Sequence, residues 1–297
     1  MTVSLPLPFQ PLPGKIYIEE SIGKVWMTYS GYLMTFLIPP LLALLLLAFI
    51  DQRRGKILPP ELSAASPAVV VLIFIAVAVI YTTPWDNYLV ATHVWWYDPA
   101  LVIGITVGWV PLEEYAFFIL QTALTGMLTI TLARYLAMPS DYRGKTDRLR
   151  WWAAALAILI WLCAGGALFL RYFPAAYTSL LLLWALPPIA LQLAFGAEIL
   201  WLYRKWTGLS ILLPTFYLAL ADSLAIGLGT WTINPQQSFN LFVGSLPIEE
   251  MLFFLCTNTL VVFGIVLAIS IPGHARFQSV VNVFRDRRNT AATGNRD

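Results

Sequence analysis

The sequence predicts an all-α integral membrane protein with seven transmembrane helices. The composition, the length of the apolar stretches and the distribution of positive charge lead to this class. Of 297 residues, 59% are hydrophobic and 11% are charged, whereas soluble domains carry roughly 25% charged residues. The net charge of +2 gives no reason to expect a nucleic-acid partner. Cys163 and Cys256 lie in apolar stretches, so neither a disulfide framework nor a zinc site is expected.

Seven stretches have about the 20 apolar residues that a helix needs to cross a bilayer. They are residues 29–50, 68–88, 112–136, 151–172, 178–203, 209–230 and 248–271. A shorter apolar piece, residues 100–110, cannot cross and predicts a re-entrant or interfacial segment. Residues 1–24 combine prolines with mixed charge and do not resemble a signal peptide.

The positive charges predict the orientation in the membrane. Fifteen of the 18 Lys and Arg residues lie in one set of loops and in the tail: 51–65, 134–150, 204–205 and 274–297. Because cytoplasmic loops carry an excess of Lys and Arg, we expect a multi-pass protein of the cell membrane with its N-terminus outside and its C-terminus cytoplasmic. The polar stretch 285–297 is expected to be disordered.

An internal repeat is visible in two similar motifs, PLEEYAFF at residues 111–118 and PIEEMLFF at residues 247–254. A shift of 136 residues superposes the two motifs and also matches Asp86 with Asp222 and Trp95 with Trp231. A shift of 148 residues matches the helices before them, through these pairs: Tyr29 and Tyr177, Pro39 and Pro187, and Pro40 and Pro188.

The repeat predicts an architecture in which helices 1–3 and 5–7 are copies and the fourth helix is a linker. A linker that crosses the membrane makes the two copies parallel, so both glutamate pairs should lie at one depth on the non-cytoplasmic side. The expected units are an N-terminal segment, a first repeat, a loop with the linker helix, a second repeat and a basic cytoplasmic tail: residues 1–28, 29–136, 137–172, 173–273 and 274–297.

Four glutamates at the heads of apolar helices are the main candidate site residues: Glu113, Glu114, Glu249 and Glu250. Ionisable side chains in such helices are costly and usually face the bundle interior. The alternative is that they merely complement the helix dipoles. Helical spacing places Glu114 and Glu250 on faces with further polar residues, so these two should point inward. Their neighbours at 113 and 249 align with apolar faces.

The pattern around these glutamates suits proton transfer to an apolar substrate. A carboxyl group in an apolar pocket can act as a general acid, and a nearby carboxylate can act as the base. The chain contains 12 Trp, 13 Tyr and 17 Phe, and aromatic faces stabilise cations such as a carbocation. Asp86 and Asp222 are further candidates, equally compatible with a structural hydrogen-bonding role. The candidate substrate-binding aromatics are Trp95, Phe117, Phe118, Trp231, Phe253 and Phe254.

Motifs for other chemistries are absent from the sequence. There is no Gly-x-Gly-x-x-Gly dinucleotide motif and no P-loop, and two histidines are too few for a metal centre. We therefore expect neither a cofactor nor a metal.

The two motifs resemble the Pro-x-Glu-Glu-x-x-Phe-Phe signature of the membrane lycopene cyclase family, which has two-subunit and fused forms. The resemblance covers nearly the whole chain and implies a fused, two-repeat form. It implies a redox-neutral cyclisation of the ends of lycopene to β-ionone rings, giving β-carotene by way of γ-carotene in carotenoid biosynthesis. The signature glutamates correspond here to Glu113, Glu114, Glu249 and Glu250. Lycopene would come from the membrane lipid, and association with other carotenoid enzymes is an open expectation.

Alternatives remain at this point. Parallel repeats with buried carboxyl groups also suit a proton- or cation-coupled transporter, and a third interpretation is a protein that binds a carotenoid unchanged. Within the cyclase interpretation, an ε- or γ-ring product, a C50 substrate and one-ended cyclisation stay open. The sequence also leaves open which glutamate is the acid and which is the base. The oligomeric state is open as well.

Overall fold

The computed structural model describes residues 27–139 and 148–293. Within them, seven helices are long and apolar enough to cross a membrane, as the sequence predicts. We number these helices α1 to α7, and an eighth helix, α8, follows. Their bounds are α1 Tyr29–Arg53, α2 Pro67–Ala91, α3 Leu112–Tyr135, α4 Arg148–Phe169, α5 Ala176–Leu202, α6 Arg204–Gly227, α7 Ile248–Ile269 and α8 Ile271–Thr293.

Prolines fix where the central helices begin. Pro111 and Pro247 adopt extended backbone immediately before α3 and α7. The glutamates that follow each proline therefore occupy the first turn of the helix, where the helix dipole stabilises negative charge. Helix α1 contains one π-helical segment, Leu33–Leu37.

Short strands were not predicted, and the described residues contain three two-stranded antiparallel sheets. The strands are β1 Trp95–Tyr97, β2 Thr106–Val107, β3 Val110–Pro111, β4 Trp231–Ile233, β5 Phe242–Val243 and β6 Leu246–Pro247. Strand β1 pairs with β4 over a register that joins Trp95 to Ile233 and Tyr97 to Trp231. The other two sheets are the hairpins β2–β3 and β5–β6. Each element from β4 to α7 begins 136 residues after its counterpart between β1 and α3.

One expectation needs correction, and another gains detail. The segment 100–110 is a loop that enters the β2–β3 hairpin, and its re-entrant or interfacial position stays a prediction. Gly104 and Gly108 take left-handed backbone there (φ +85° and +68°), which interrupts any helix. A side chain at Gly108 would also collide with Asn87. The stretch expected to be disordered from residue 285 onward instead continues α8 as far as Thr293, and residues 1–26 and 294–297 lie outside the described part.

The interior of the bundle is built around α3 and α7. The polar faces predicted for these helices meet: Gln121 donates a hydrogen bond to Thr257 (2.7 Å), and Thr125 donates one to Asn258 (2.7 Å). These hydrogen bonds pair polar groups inside an apolar bundle, which removes much of the cost of burying them. These contacts hold the two helices side by side and bring their N-terminal ends together.

Candidate active site

A pocket lies between the β1–β4 sheet and the N-terminal ends of α3 and α7. Three carboxyl groups line it: Glu114 of α3, Glu250 of α7 and Asp222 of α6. All three residues are buried. We call this the acid pocket.

Glu114 is held by two tyrosines. Its Oε2 atom accepts hydrogen bonds from the hydroxyl of Tyr29 (2.5 Å) and from the hydroxyl of Tyr97 (2.9 Å). Burial, helped by the charges of Asp86 and Glu114, raises the pKa of Tyr97 well above its usual value. Tyr97 therefore remains a neutral phenol, and its hydroxyl donates a hydrogen bond to Glu114.

Glu250 has a simpler environment. Its Oε1 atom accepts a hydrogen bond from the hydroxyl of Tyr177 (2.6 Å), the repeat counterpart of Tyr29. The position that corresponds to Tyr97 in the second repeat is Ile233, which lines the pocket without a donor group. The two glutamates therefore occupy similar positions with unequal hydrogen bonding.

Glu113 and Glu249 face away from the acid pocket. Glu113 Oε1 accepts a hydrogen bond from the backbone N–H of Ile103 (2.6 Å), and Glu249 Oε1 accepts one from the backbone N–H of Phe239 (2.7 Å). Each side chain thus ties the loop before its own helix to the first helical turn. The structure separates each adjacent pair into one pocket residue and one loop-binding residue.

Asp86 and Asp222 are both buried near the two pocket glutamates. Asp222 lines the pocket, and Asp86 lies outside its lining. Each has an Oδ2 atom with no hydrogen-bond partner among the described residues. Because an unpaired buried polar atom costs free energy, each oxygen would be stabilised by a proton or by a donor group.

Aromatic rings form most of the remaining wall. Five of the six predicted aromatics line the acid pocket: Trp95, Phe117, Trp231, Phe253 and Phe254. The sixth, Phe118, lines a neighbouring groove instead. The rings pack on the tyrosines that hold the glutamates, with centroids 5.0 Å apart for Tyr29 and Trp231 and 5.3 Å apart for Trp95 and Tyr177. Such walls exclude water and present π faces to any cation formed inside.

Sequence reasoning missed the tyrosines. Tyr29 and Tyr177 carried a usable signal, because they match each other across the repeat. Tyr97 had no counterpart to mark it. Tyr32 was missed as well: it is fully buried beside Trp231, and its hydroxyl has no partner among the described residues.

The apolar helices and the pocket define a class of protein, a multi-pass membrane protein with paired carboxyl groups in an aromatic pocket. Within that class, the chain belongs to the lycopene cyclase family. The family model described as "Lycopene cyclase" matches residues 26–136 and 174–268, two segments that each carry one glutamate pair. The resemblance seen in the sequence is thereby confirmed.

Curated relatives agree with the family. The chain is 40% identical over 195 residues to the lycopene beta-cyclase of Halobacterium salinarum, a match that covers 66% of this chain and 80% of the relative. It is 36% identical over 201 residues to the bifunctional lycopene cyclase/phytoene synthase of Aspergillus niger, covering 66% of this chain and 34% of that protein. A protein of the same name from Phaeosphaeria nodorum is 38% identical over 203 residues. The chain therefore spans about a third of the fungal relatives. No solved structure is significantly similar to it.

Proposed function

We propose that this protein is a lycopene beta-cyclase, which closes the ends of lycopene to β-ionone rings without redox change and forms β-carotene by way of γ-carotene. One observation carries the proposal: the two repeats each contribute a buried, tyrosine-bound glutamate, Glu114 and Glu250, to one aromatic pocket. The names of the relatives support the substrate and the β-ring product over the transport and carotenoid-binding alternatives.

The proposed architecture is two parallel three-helix repeats joined by α4, with the glutamates on the non-cytoplasmic side of the cell membrane. The constant offset of 136 residues between matched elements supports the repeat. So do two equivalent hydrogen bonds: the Tyr81 hydroxyl donates to the Trp184 carbonyl, and the Tyr217 hydroxyl donates to the Phe36 carbonyl, both at 2.8 Å. The distribution of Lys and Arg supports the orientation, with the N-terminus outside and the C-terminus cytoplasmic.

The proposed reaction begins with a proton from a carboxylic acid. The proton adds to C2 of the terminal C1=C2 double bond and leaves a cation at C1. The electron pair of the C5=C6 double bond attacks C1, forms the C1–C6 bond and moves the cation to C5. A carboxylate then removes the proton from C6, and that electron pair restores the C5=C6 double bond. One proton enters and one leaves, so the product is an isomer of the substrate.

The unequal hydrogen bonding suggests which glutamate does which step. Hydrogen bonds from donors favour the ionised form of a carboxyl group. Glu114 accepts two phenol hydrogen bonds and Glu250 accepts one, so we assign Glu114 as the base and Glu250 as the acid. After each cyclisation the proton must return from Glu114 to Glu250. Asp222, which lines the same pocket, is placed to assist that return.

The remaining predicted site residues have supporting roles in this proposal. Glu113 and Glu249 hold the two loops through the backbone N–H groups of Ile103 and Phe239. Asp86 adds a buried carboxyl group beside the pocket. The aromatic walls stabilise the cation and exclude water, which would otherwise capture it as an alcohol.

The identity of the ring depends on where the base meets the cation. Loss of the proton from C6 gives a β-ring, loss from C4 gives an ε-ring, and loss from the adjacent methyl group gives a γ-ring. Tyr29 and Tyr97 both donate to the Oε2 atom of Glu114, which restricts the atoms that this carboxyl group can reach. Fungal relatives whose names join a lycopene cyclase to a phytoene synthase support the proposed association with other carotenoid enzymes.

Pigment analysis tests the proposal. The chain is expressed in a bacterial host that accumulates lycopene, beside a Glu114→Gln/Glu250→Gln variant, and pigments are separated with mass detection. We expect β-carotene from the wild type, with unchanged mass and absorption at shorter wavelength, and unaltered lycopene from the variant. Unaltered lycopene in cells with normally expressed wild-type protein would reject the proposed function.

A further inference from the structure

A second cavity opens on the flank of the bundle, between α2 and α5. Its free interior volume is about 170 Å³, and α3 and α7 form its floor. Ala78 of α2 and Pro188 of α5 stand on its two sides, and Thr122 and Leu260 lie on its floor. We call this cavity the side groove.

The side groove offers an apolar surface. Two of its polar side chains donate to protein groups: Gln121 donates to Thr257 (2.7 Å), and the Gln192 amide donates to the Leu260 carbonyl (2.9 Å). Val77 and Tyr81, at the edge on α2, are 49% and 41% exposed on a helix long and apolar enough to cross the membrane. This flank therefore faces the hydrocarbon of the bilayer in the proposed architecture.

The side groove and the acid pocket are adjacent. Phe253 lines both cavities, and Phe117 and Phe118 line one each. Trp85 stacks on Phe253 with the rings nearly parallel (centroids 6.1 Å apart, 5°) and on Trp184 (4.5 Å, 18°). Phe253, the residue that lines both cavities, is therefore part of a stack of aromatic rings.

The α2–α5 interface and the equivalent α6–α1 interface differ in their aromatic residues. The Tyr81–Trp184 bond at the α2–α5 interface has its counterpart in the Tyr217–Phe36 bond at the α6–α1 interface. The stacked tryptophan pair has no such counterpart, because the position equivalent to Trp85 is Ala221. The stacked tryptophan pair beside the groove therefore has no equivalent between α6 and α1.

We propose that the side groove binds the conjugated chain of lycopene while one end of the molecule lies in the acid pocket, and that its open flank admits lycopene from the bilayer. This inference rests on the proposed function. A hydrocarbon polyene can be recognised only by dispersion and π contacts, which is what this groove provides. Lycopene has a long carbon chain, so a molecule with one end in the acid pocket must place the rest of its length elsewhere. The adjoining groove supplies that space.

The test is to narrow the groove and compare substrates of different length. Ala78→Trp fills the groove, and Ile80→Trp places the same side chain on α2 at a position that is 74% exposed and outside the groove lining. Initial rates are measured in membranes with equal protein, for lycopene and for an acyclic polyene of about half the length with the same end group. We expect Ala78→Trp to lower the initial rate with lycopene about tenfold or more. Its rate with the short polyene should stay within about twofold of wild type. Ile80→Trp should match wild type with both substrates.

Other outcomes separate the failure of this inference from that of the proposed function. A normal lycopene rate in Ala78→Trp, or an equal loss for both substrates in folded protein, overturns the groove assignment. A wild type that converts neither substrate overturns the proposed function instead. If Ala78→Trp does not fold, Ala78→Leu should lower the lycopene rate by a smaller factor and leave the short-polyene rate unchanged. If Ala78→Leu affects the two rates equally, the inference is rejected.

A binding measurement tests the groove assignment without turnover. Lycopene is achiral, so it shows visible circular dichroism only when it is held in a chiral site. The inactive Glu114→Gln/Glu250→Gln protein should induce this signal, and addition of Ala78→Trp should abolish it. An unchanged signal would place the polyene outside the groove.

Discussion

The two adjacent glutamates of each motif should differ sharply in how much activity is lost when each is changed to glutamine. Glu114 and Glu250 line the acid pocket, whereas Glu113 and Glu249 accept backbone hydrogen bonds from the loops. Glutamine keeps the size and one acceptor oxygen of glutamate but cannot transfer a proton. The four single variants carry the same chemical change, so any difference in activity between them reflects the position of the glutamate within the motif.

The expected magnitudes follow from these contacts. Removal of a general acid or base lowers a rate by typically about 100- to 10,000-fold, so Glu114→Gln and Glu250→Gln should lose about 100-fold or more. At positions 113 and 249, a charge-assisted hydrogen bond of about 1.5–3 kcal/mol becomes a neutral one of about 0.5–1.5 kcal/mol. The loss of about 1–1.5 kcal/mol concerns folding, so Glu113→Gln and Glu249→Gln should keep rates within about tenfold of wild type.

The assay combines initial rates of lycopene loss, at equal amounts of membrane-embedded protein, with thermal unfolding of each variant in detergent. The loop variants should unfold a few degrees lower, since 1 kcal/mol corresponds to about 2–4 °C in proteins of 150–250 residues. The reasoning is refuted if Glu113→Gln and Glu249→Gln unfold normally yet lose as much activity as Glu114→Gln and Glu250→Gln.

Three further predictions concern the site and its support. Tyr29→Phe and Tyr177→Phe each remove a hydrogen bond to a pocket carboxyl group. Because such bonds contribute about 1.5–3 kcal/mol, initial rates should fall about tenfold or more. Rates near wild type would argue against tyrosine control of the glutamates. Because one acid pocket serves both ends, a time course should show monocyclic γ-carotene before β-carotene, and simultaneous appearance would contradict a single site. Gly264→Val should lower the unfolding temperature, because the ring of Phe74 occupies the space of the added side chain, and unchanged unfolding would show that the ring moves freely.

The site was partly predictable because helical geometry is local. Adjacent residues on a helix point about 100° apart, so the polar faces of α3 and α7 favoured Glu114 and Glu250 as the inward residues. The structure places these two in the acid pocket and turns Glu113 and Glu249 to the loops. Repeat matching likewise pointed to Trp95 and Trp231, which line that pocket.

Other parts depended on packing between distant segments. Tyr29 binds Glu114 across 85 positions of sequence, and Tyr177 binds Glu250 across 73. Strands β1 and β4 pair although 136 residues separate their first residues, and strands of two or three residues are too short to show a periodicity. Phe117 and Phe118 are neighbours in sequence, yet they line different cavities because α3 is shared by the acid pocket and the side groove.

The sequence by itself determined the seven apolar helices, the doubled motif and the family, because apolar length and repeated residues are properties of the chain read in order. The tertiary structure alone decided that the two motifs share one pocket, that Glu114 has two tyrosine donors and Glu250 one, and that a groove adjoins them on one flank. These features arise where helices pack, and most of the contacts that define them join residues far apart in the sequence, such as Tyr29 with Glu114 and Tyr177 with Glu250. Hydrophobic burial specifies that such helices associate, but the side chains that meet are fixed only by the packed arrangement.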